Sequence, residues 1–457
     1  MENKQTNANT KGFDPTQYTI GVVSLGCDKN RVDTENMITY LLNAGYRFVS
    51  DSSEADIIII NTCAFIEASR EESRQNIEEM IEFRKNGRCK CLVVTGCYPQ
   101  KYLNEITDLY DIDVCLGTNE YKQIEDHLKT FFTTGEPVVK NNSKDALDCI
   151  ETGRVITTPA HYAFVRVADG CDNFCSYCTI PYIRGRFRSR RIESVVRETE
   201  DLVKNGAKEI ILVAQDLSKY GADIYGKPKL TELVQNLSKI EKLQWIRLLY
   251  CYPENVDDDL IAEIKNNDKL CKYIDIPFQH VSTKILDKMN RKITHEQVEE
   301  LVTKLKTEVP NISIRTTFMV GFPNETKEDF EELCNFLKKH ELENVGFFAY
   351  SKENGTVSAR FENQIDDWTK QKRLVKLARL QKKIVKKNNR KKIGQIQRVL
   401  LEGVDYAKNR YYGRNEGQAP DIDTICYFTS DRRLEVGEFY DVLIKRVKGY
   451  DLIGERV

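Results

Sequence analysis

Three short apolar runs near the N-terminus each end at a cysteine. They read IGVVSLGC, IIIINTC and CLVVTGC, and they end at Cys27, Cys63 and Cys97. Two stretches with helical periodicity, RVDTENMITYLLNAGY and ASREESRQNIEEMIEFRK, lie between them. Successive cysteines are about 35 residues apart, which suits one strand and its crossover helix. The spacing predicts a parallel α/β domain over residues 18–135, with helices on both faces of the sheet.

The three cysteines are predicted to meet in space. Because the carboxyl ends of parallel strands lie at one edge of a sheet, the residues that follow them converge there. Three thiolates suit a soft metal centre. Small or polar residues flank the cysteines and leave backbone N–H groups free for a cluster, namely Gly26, Asn61 and Gly96. The alternative is that the cysteines are ordinary buried apolar residues. We favour a shared metal site.

A second series of strands and helices runs from about residue 157 to 365. Its strand candidates read HYAFVRVA, EIILVAQD, WIRLLY, YIDIPF, SIRTTFMVGF and VGFFAY. Six such units without a seventh or eighth predict an open, partial (β/α)6 barrel. A doubly wound sheet is the alternative. The polar residues 1–17 are interpreted as a disordered lead, and residues 136–155 as a linker.

The sequence CDNFCSYC follows the first strand of this series and contains Cys171, Cys175 and Cys178. Its spacing is C-x3-C-x2-C, and no further cysteine follows until Cys251. Structural zinc sites and electron-carrier ferredoxins use four protein ligands. Three thiolates on one loop instead leave one iron of a [4Fe-4S] cluster free to bind a substrate. A zinc site stays as the alternative.

The C-terminal part begins with a strongly basic segment. Residues 370–392 contain twelve Lys or Arg and no Asp or Glu, with leucines at helical spacing. This predicts an amphipathic helix with a basic outer face. The alternative is that this face is only a solvated surface without a binding role. The following runs, IGQIQRVLLEGV, ICYFTS, EFYDVLIKRV and YDLIGERV, predict a small antiparallel β-barrel over residues 389–457.

Bulk composition limits the cellular setting. The chain lacks an apolar run of about 18 residues, as a membrane span requires, and a signal-peptide pattern. A cytoplasmic location is therefore expected. In that compartment the 14 cysteines favour metal or redox chemistry over disulfides. Apart from the short pair Cys89 and Cys91, the eight cysteines outside the two triads show no ligand spacing, and all eight are interpreted as packing or surface residues. A net charge of −1 argues against nonspecific binding of polyanions by the whole molecule.

CDNFCSYC at this position resembles the cluster loop of the radical S-adenosylmethionine (SAM) enzymes. Together with the N-terminal triad and the C-terminal barrel, it resembles the methylthiotransferase family, whose barrel is called TRAM. The resemblance extends from about residue 18 to 457 and implies a radical-SAM core over residues 157–386. SLGCDKNRVDTE, NTCAFIEASREES, AQDLSKYGADIYG, IRLLYCYP, YIDIPFQH and RYYGRNEGQAPDID resemble the family members that modify a ribosomal protein. Asp28 and Asn324 depart from the family's usual proline and glycine.

The resemblance implies a transferase that inserts a methylthio group at the β-carbon of an aspartate in small-subunit ribosomal protein twelve, giving 3-methylthioaspartate. It implies two [4Fe-4S] clusters, one on each cysteine triad, and SAM as both radical source and methyl donor. Reduced flavodoxin or ferredoxin would donate electrons, a sulfur carrier would take part, and TRAM could contact RNA. We expect the two clusters to face one cavity. The alternatives are a tRNA adenosine methylthiotransferase and a non-enzymatic Fe–S or RNA-binding protein.

The resemblance also implies a set of SAM-contacting residues: Tyr177, Gln215, Asp216, Gln279, His280, Arg315 and Gly321. Their structural alternatives are packing for Tyr177, capping for Asp216, a buried role for His280 and a turn for Gly321. Five arginines in RGRFRSRR follow the cluster loop, and we expect one or two of them to face SAM or an acidic substrate and most of them to form surface ion pairs. The acidic residues of RYYGRNEGQAPDID are interpreted as a surface that suits a basic protein substrate.

Overall fold

The structure of the protein is a computed structural model that describes residues 13–141, 147 and 149–457. The chain divides into two compact units, Met1–Asp148 and Cys149–Val457. Most of the predicted lead, residues 1–12, lies outside the described residues. So do residues 142–146 and 148 of the predicted linker.

The first unit is built on a six-stranded parallel sheet with the strand order β2-β1-β3-β4-β5-β6. The strands are β1 Thr19–Ser24, β2 Arg47–Phe48, β3 Ile57–Thr62, β4 Cys91–Gly96, β5 Val114–Leu116 and β6 Val138–Lys140. The helices are α1 Asp28–Asn43, α2 Glu67–Asn86, α3 Cys97–Leu109 and α4 Ile124–Thr134. The predicted parallel α/β domain is confirmed. Strand β6 lies in the range that we predicted as linker.

The central strand β3 explains the run of four isoleucines. All four side chains are buried, because the sheet is covered on both faces. Ile57 and Ile59 pack against α1 and α4. Helix α2 contacts β3 and β4 as well. Burial on both faces fixes the strand's register, and with it the position of Cys63, the next residue.

The second unit begins with six parallel strands. One sheet has the order β11-β10-β7 and the next has the order β12-β13-β14, and a bridge between Ile246 and Leu270 joins them. The strands are β7 Tyr162–Arg166, β10 Glu209–Val213, β11 Trp245–Leu248, β12 Tyr273–Asp275, β13 Ser313–Val320 and β14 Asn344–Ala349. Within the described part of the chain, β14 does not pair with β7. The predicted partial (β/α)6 barrel is confirmed.

Helices cover the outside of this barrel, and a short antiparallel pair, β8 with β9, follows its first strand. The helices are α5 Ile180–Arg184, α6 Ile192–Lys204, α7 Ala222–Tyr225, α8 Leu230–Ser238, α9 Asp258–Asn266, α10 Thr283–Lys288, α11 His295–Glu308, α12 Lys327–His340 and α13 Asp367–Arg390. The short strands are β8 Ala168–Asp169 and β9 Arg188–Ser189. None of the helices in the described ranges is long and apolar enough to cross a membrane.

The C-terminal residues form a closed five-stranded barrel with the order β15-β16-β17-β19-β18. Its strands are β15 Ile396–Asp405, β16 Arg410–Asn415, β17 Cys426–Thr429, β18 Phe439–Lys448 and β19 Asp451–Arg456. The predicted barrel is confirmed, with one parallel pair, β17 and β19, among antiparallel ones. Sequence analysis did not predict β16, since RYYGRN is polar and lacks the alternation of a half-buried strand.

The small barrel docks on the amino ends of the core strands. Glu209 at the start of β10 accepts hydrogen bonds from Arg247 and from Arg414 of β16, both at 2.6 Å. Tyr273 at the start of β12 donates to Asp423 at 2.8 Å. All but one of these side chains are fully buried, and Asp423 is almost so. The expectation of an acidic substrate-facing surface on RYYGRNEGQAPDID is therefore wrong for Asp423, which forms part of this interface.

Candidate functional site

The three N-terminal cysteines lie where the sheet edge was expected to gather them. Cys27 precedes α1, Cys63 directly follows β3, and Cys97 is the first residue of α3, directly after β4. Strands β1, β3 and β4 are adjacent and in parallel register, with Ser24 opposite Asn61 and Thr62 opposite Gly96. The structure thus brings the carboxyl ends of the three strands together.

Two contacts connect the segments that carry these cysteines. A Cβ on Gly26 would come within 3.1 Å of the Cys63 sulfur, so only glycine lets these backbone segments approach so closely. The Sγ of Cys97 lies 3.6 Å from Oδ1 of Asn30 in the first turn of α1. Cys63 and Cys97 are buried, whereas Cys27 is exposed. The first triad therefore has a buried side and an open side.

Asn30 is a residue that sequence analysis missed. Its side chain is fully buried and donates to the carbonyls of Leu25 at 3.1 Å and Thr62 at 3.0 Å. The amide of Asn61 donates in turn to the Asn30 carbonyl at 2.9 Å. Asn30 therefore joins the ends of β1 and β3 to α1. The only signal in the sequence is its position three residues after Cys27, which alone predicts no such role.

The second triad lies on the loop between β8 and α5, at the carboxyl end of the core strands. The loop has a tight backbone: Phe174 has a φ of 45°, and the Cys178 N–H donates to the Cys175 carbonyl at 2.9 Å. Burial raises the pKa of Cys171 to about 12 and raises that of Cys178 as well. Both thiols are therefore protonated at neutral pH, and loading a cluster must release their protons.

Residues after three other core strands hold this loop in place. Asn173 donates to Asp216, which follows β10, at 2.8 Å. The Cys175 sulfur lies 3.8 Å from the Tyr252 hydroxyl, after β11. The Ser176 N–H donates to the Met289 carbonyl, in the segment after β12, at 2.9 Å. The cluster loop is thus fixed across the mouth of the barrel.

Arg291 is the second residue that the sequence did not reveal. Its guanidinium lies 4.0 Å from the Cys175 sulfur and 4.0 Å from the ring centre of Tyr252. It also donates to the Pro277 carbonyl. The side chain is buried, so a positive charge stands beside the cluster loop in a medium of low dielectric. RKITHEQ carries no motif that could have indicated this contact.

Gln215 and Gln279 each hold a polar atom ready for a ligand. Gln215 donates to Asp169 at 2.7 Å, and its carbonyl oxygen is buried without a hydrogen-bond partner in the described part of the chain. Gln279, which has a φ of 72°, likewise has a buried, unsatisfied carbonyl oxygen among these residues. Both residues follow core strands. Buried amide oxygens of this kind need a ligand or water, so this end of the barrel fits a polar cofactor.

Asp216 and His280 have structural contacts. Asp216 caps the following turn by accepting hydrogen bonds from Ser218 and from the Lys219 N–H, and burial raises its pKa. His280 is fully buried, and its Nδ1 accepts from the Ser282 N–H at 3.0 Å. Its Nε2 lies 3.8 Å from a carboxylate oxygen of Glu325. The structural alternatives for these two residues therefore have direct support.

Of the remaining predicted cofactor residues, Tyr177 and Gly321 lie at the carboxyl end of the core strands, and Arg315 lies towards the amino end. Tyr177 packs edge-on against Phe322 near the cluster loop, with ring centres 6.5 Å apart. Gly321 has a φ of 72° and makes the turn after β13, where a Cβ would collide with Lys370. Arg315 lies in the amino-terminal half of β13 and pairs with Asp275 at 3.2 Å and Asp423 at 3.5 Å. The structure does not gather Arg315 with the cysteines.

The arginines after the cluster loop are not mainly surface residues. Arg184 and Arg190 are buried and Arg188 is partly buried, whereas Arg186 and Arg191 are exposed. Asp169 is fully buried within 4.0 Å of the guanidiniums of Arg166, Arg184 and Arg188. Burial alone would raise the pKa of Asp169, but the three charges outweigh it and lower that pKa. The expectation of surface pairing is wrong here, because composition does not distinguish buried from exposed ion pairs.

The geometry of the triads differs from that of a single-ion site. Among the residues that the structure describes, no group of three or more His, Cys, Asp and Glu side chains could hold one metal ion. A cluster places a different iron at each thiolate, so its ligands need not converge on one point.

Family models match three segments of the chain. They are the Radical SAM superfamily at residues 165–337, Uncharacterized protein family UPF0004 at 19–117 and the TRAM domain at 393–457. The structure is also similar to the radical SAM methyltransferase TsrM from Kitasatospora setae, with a TM-score of 0.53 at 15% identity, covering 72% of this chain and 74% of that one. The protein is thus a radical-SAM enzyme with a TRAM domain.

Curated relatives define the family more closely. The chain is 46% identical over 436 residues to "Ribosomal protein uS12 methylthiotransferase RimO" of Clostridium botulinum strain Loch Maree, covering 95% of this chain and 97% of that protein. It is 44% identical to the protein of that name from Clostridium acetobutylicum, again with 95% and 97% coverage. The chain belongs to the RimO family of methylthiotransferases. Membership implies [4Fe-4S] clusters and SAM as cofactors.

Proposed function

We propose that this chain inserts a methylthio group at the β-carbon of an aspartate in ribosomal protein uS12. The observation that carries the proposal is the loop of Cys171, Cys175 and Cys178 at the carboxyl end of a six-stranded half-barrel. It occurs in a chain that shares 46% identity, over almost its whole length, with relatives named for this activity. Three thiols on one loop leave a fourth cluster position for SAM.

We propose that each cysteine triad holds one [4Fe-4S] cluster, with Cys27, Cys63 and Cys97 as ligands of the first and Cys171, Cys175 and Cys178 as ligands of the second. When bound, the clusters and SAM supply the electron, the carbon radical, the sulfur and the methyl group that polar side chains cannot supply. The chain's own residues position these groups. In this proposal both clusters act on one substrate, since the sulfur must reach the carbon from which hydrogen was removed.

Among the predicted cofactor residues, we assign direct SAM contacts to Gln215, Gln279 and Tyr177. The two amide oxygens are buried and unsatisfied in the described residues, so each can accept from an ammonium group such as that of SAM. Tyr177 is a half-buried residue of the cluster loop itself and offers a ring face to an adenine. Asp216 and His280 act as positioning residues in this account, because their hydrogen bonds fix the loops around the site.

The proposal includes partners that carry electrons, sulfur and substrate. Reduced flavodoxin or ferredoxin would reduce the cluster, a sulfur carrier would renew the inserted atom, and the TRAM barrel could contact RNA. A cytoplasmic location follows from a ribosomal substrate. Arg291 supports the electron-transfer part, since a buried positive charge beside Cys175 favours the more negative, reduced state of a cluster.

The proposed radical chemistry is tested by anaerobic reconstitution of the full chain with iron and sulfide, followed by SAM and dithionite. We expect 5′-deoxyadenosine from the native chain. Cys175→Ala should yield none. The control Cys271→Ala removes a buried cysteine at the far end of the barrel and should retain the product. Absence of 5′-deoxyadenosine from the native reconstituted chain would contradict the proposal.

A further inference from the structure

Helix α13 carries a continuous row of positive charge that the proposed chemistry does not use. Six bases lie three or four residues apart and therefore on one face of the helix; this basic stripe consists of Lys372, Lys376, Arg379, Lys383, Lys386 and Arg390. All six side chains are exposed. The stripe is about 27 Å long, at 1.5 Å per residue.

The opposite face of α13 anchors the helix to the core. Leu377 and Ile384 are buried in the main hydrophobic cluster. Gln381 donates to the Leu342 carbonyl at 2.9 Å, and Asn389 donates to the Tyr450 carbonyl of the C-terminal barrel at 2.7 Å. The basic stripe is therefore held outward on a rigid element that runs from the mouth of the half-barrel to the TRAM barrel.

The charges of the stripe are not neutralised by the protein itself. In the described ranges, none of the six bases forms an ion pair with Asp or Glu, whereas the nearby Lys387 pairs with Glu341. The sequence has no acidic residue between Asp367 and Glu402. Neighbouring Lys and Arg side chains along the stripe repel each other at this spacing. An ordinary solvated helix mixes signs instead, as α2 does where Arg74 pairs with Glu67 and Glu71.

An exposed aromatic side chain lies at the amino-terminal end of the stripe. Trp368 is 70% exposed, and the Nζ of Lys372 lies 4.3 Å from its ring centre. Val375, two turns after Trp368, is 47% exposed. An open indole next to a row of cations matches the pattern by which proteins bind single-stranded nucleic acid, with charges along the backbone and a ring under a base.

We infer that the basic stripe and Trp368 form a binding surface for RNA. The exposed indole of Trp368 beside the cations favours RNA over a compact acidic protein, because a base can stack on the ring while its backbone follows the charges. The net charge of the whole chain is −1, so this attraction is local rather than general. The inference concerns a surface outside the cysteine site, and it stands or falls independently of the proposed chemistry.

The test compares two quadruple variants of the full reconstituted chain. The stripe variant is Lys376→Gln, Arg379→Gln, Lys383→Gln and Lys386→Gln. The control variant removes the same charge from exposed lysines on another side of the barrel: Lys227→Gln, Lys239→Gln, Lys242→Gln and Lys265→Gln. Fluorescence anisotropy with a labelled single-stranded RNA of about 16 nucleotides, within the site sizes of such surfaces, gives the affinity at several salt concentrations.

We expect the stripe variant to bind RNA about tenfold or more weaker, with a salt slope smaller by about 3 for four lost phosphate contacts. The control variant should stay within about twofold, since its lysines lie outside the stripe. Trp368→Ala should weaken binding by about tenfold without changing the salt slope, and Trp368→Phe should restore most of the loss. Thermal melting verifies that both quadruple variants are folded.

Two results would overturn the inference. One is equal RNA affinity of the stripe and control variants. The other is a stripe variant that keeps RNA binding but loses binding of reduced flavodoxin, which would assign the surface to an acidic protein. Neither measurement depends on product formation, so failure of the radical reaction leaves both interpretable.

Discussion

The Oδ1 of Asn30 lies 3.6 Å from the Sγ of Cys97, although the two residues are on different helices. The same asparagine donates to the carbonyls of Leu25 and Thr62, which precede the other two cysteines of the first triad. One buried side chain therefore touches all three segments on which the first cluster is proposed to assemble.

Replacing Asn30 should damage the first cluster selectively. Asn30→Ala leaves two buried carbonyls without their donor, at a cost of about 1–3 kcal/mol in unfolding free energy. We expect iron and sulfide content to fall to that of a Cys63→Ala variant, while the second triad keeps its cluster. Asn76→Ala is the matched control, since Asn76 makes its hydrogen bond on an exposed helix surface. Undiminished iron and sulfide in Asn30→Ala would refute the role assigned to this residue.

Replacing Arg291 should change the electrochemistry of the second cluster. Its buried guanidinium lies 4.0 Å from the Cys175 sulfur, and a positive charge there stabilises the reduced cluster. Arg291→Gln is expected to shift the reduction potential to more negative values, so that a smaller fraction of the cluster is reduced at a given solution potential. Potentiometric titration followed by EPR measures the shift.

Arg186→Gln serves as the control for this titration, because Arg186 is 73% exposed and pairs with Asp172. It should leave the potential unchanged. A potential in Arg291→Gln equal to that of the native chain would show that the guanidinium does not act on the cluster.

Replacing Glu209 should loosen the contact between core and TRAM barrel. Burial alone would raise the pKa of Glu209, but Arg414 and Arg247 outweigh it and lower the pKa to about 2 from an ordinary value of 4.5. The ionised carboxylate therefore stabilises the fold fully above pH 4.5, and this stabilisation is lost as the pH falls towards 2. Glu209→Gln leaves buried guanidiniums uncompensated, at a cost of about 3–5 kcal/mol near neutral pH.

Denaturant unfolding at a series of pH values checks this prediction. The difference in unfolding free energy between the native chain and Glu209→Gln should shrink as the pH is lowered from 4.5 towards 2. Glu241→Gln, on an exposed loop, should match the native chain throughout. A difference that does not depend on pH would mean that the ionised carboxylate is not the source of the stability.

The sequence predicted the parts of the fold that depend on local periodicity. Runs such as IIIINT and EIILV are buried strands, and parallel pairing then sends the following residues to one edge. That is why the convergence of β1, β3 and β4 near Cys27, Cys63 and Cys97 could be anticipated from spacing alone. For the second triad, the closeness of Cys171, Cys175 and Cys178 follows directly from their spacing on one loop.

Contacts that depend on tertiary packing could not be predicted. Asn30 and Arg291 reach the cysteines across 67 and 116 residues of sequence, and neither belongs to a recognisable motif. The buried ion pairs of Arg414 and Asp423 have the composition of surface charges, so the segment around them was misread. Whether a charge is buried depends on what docks against it, and the sequence around the charge does not show that.

The central claim is the choice of substrate, and the most direct measurement is mass analysis of ribosomal protein uS12 and tRNA from a strain that lacks this gene. We predict that uS12 from the deletion strain is lighter than that of the parent by one methylthio group in place of a hydrogen. The loss should map to one aspartate, with tRNA adenosine unchanged. Unaltered uS12 together with loss of a methylthio group from tRNA would contradict the account.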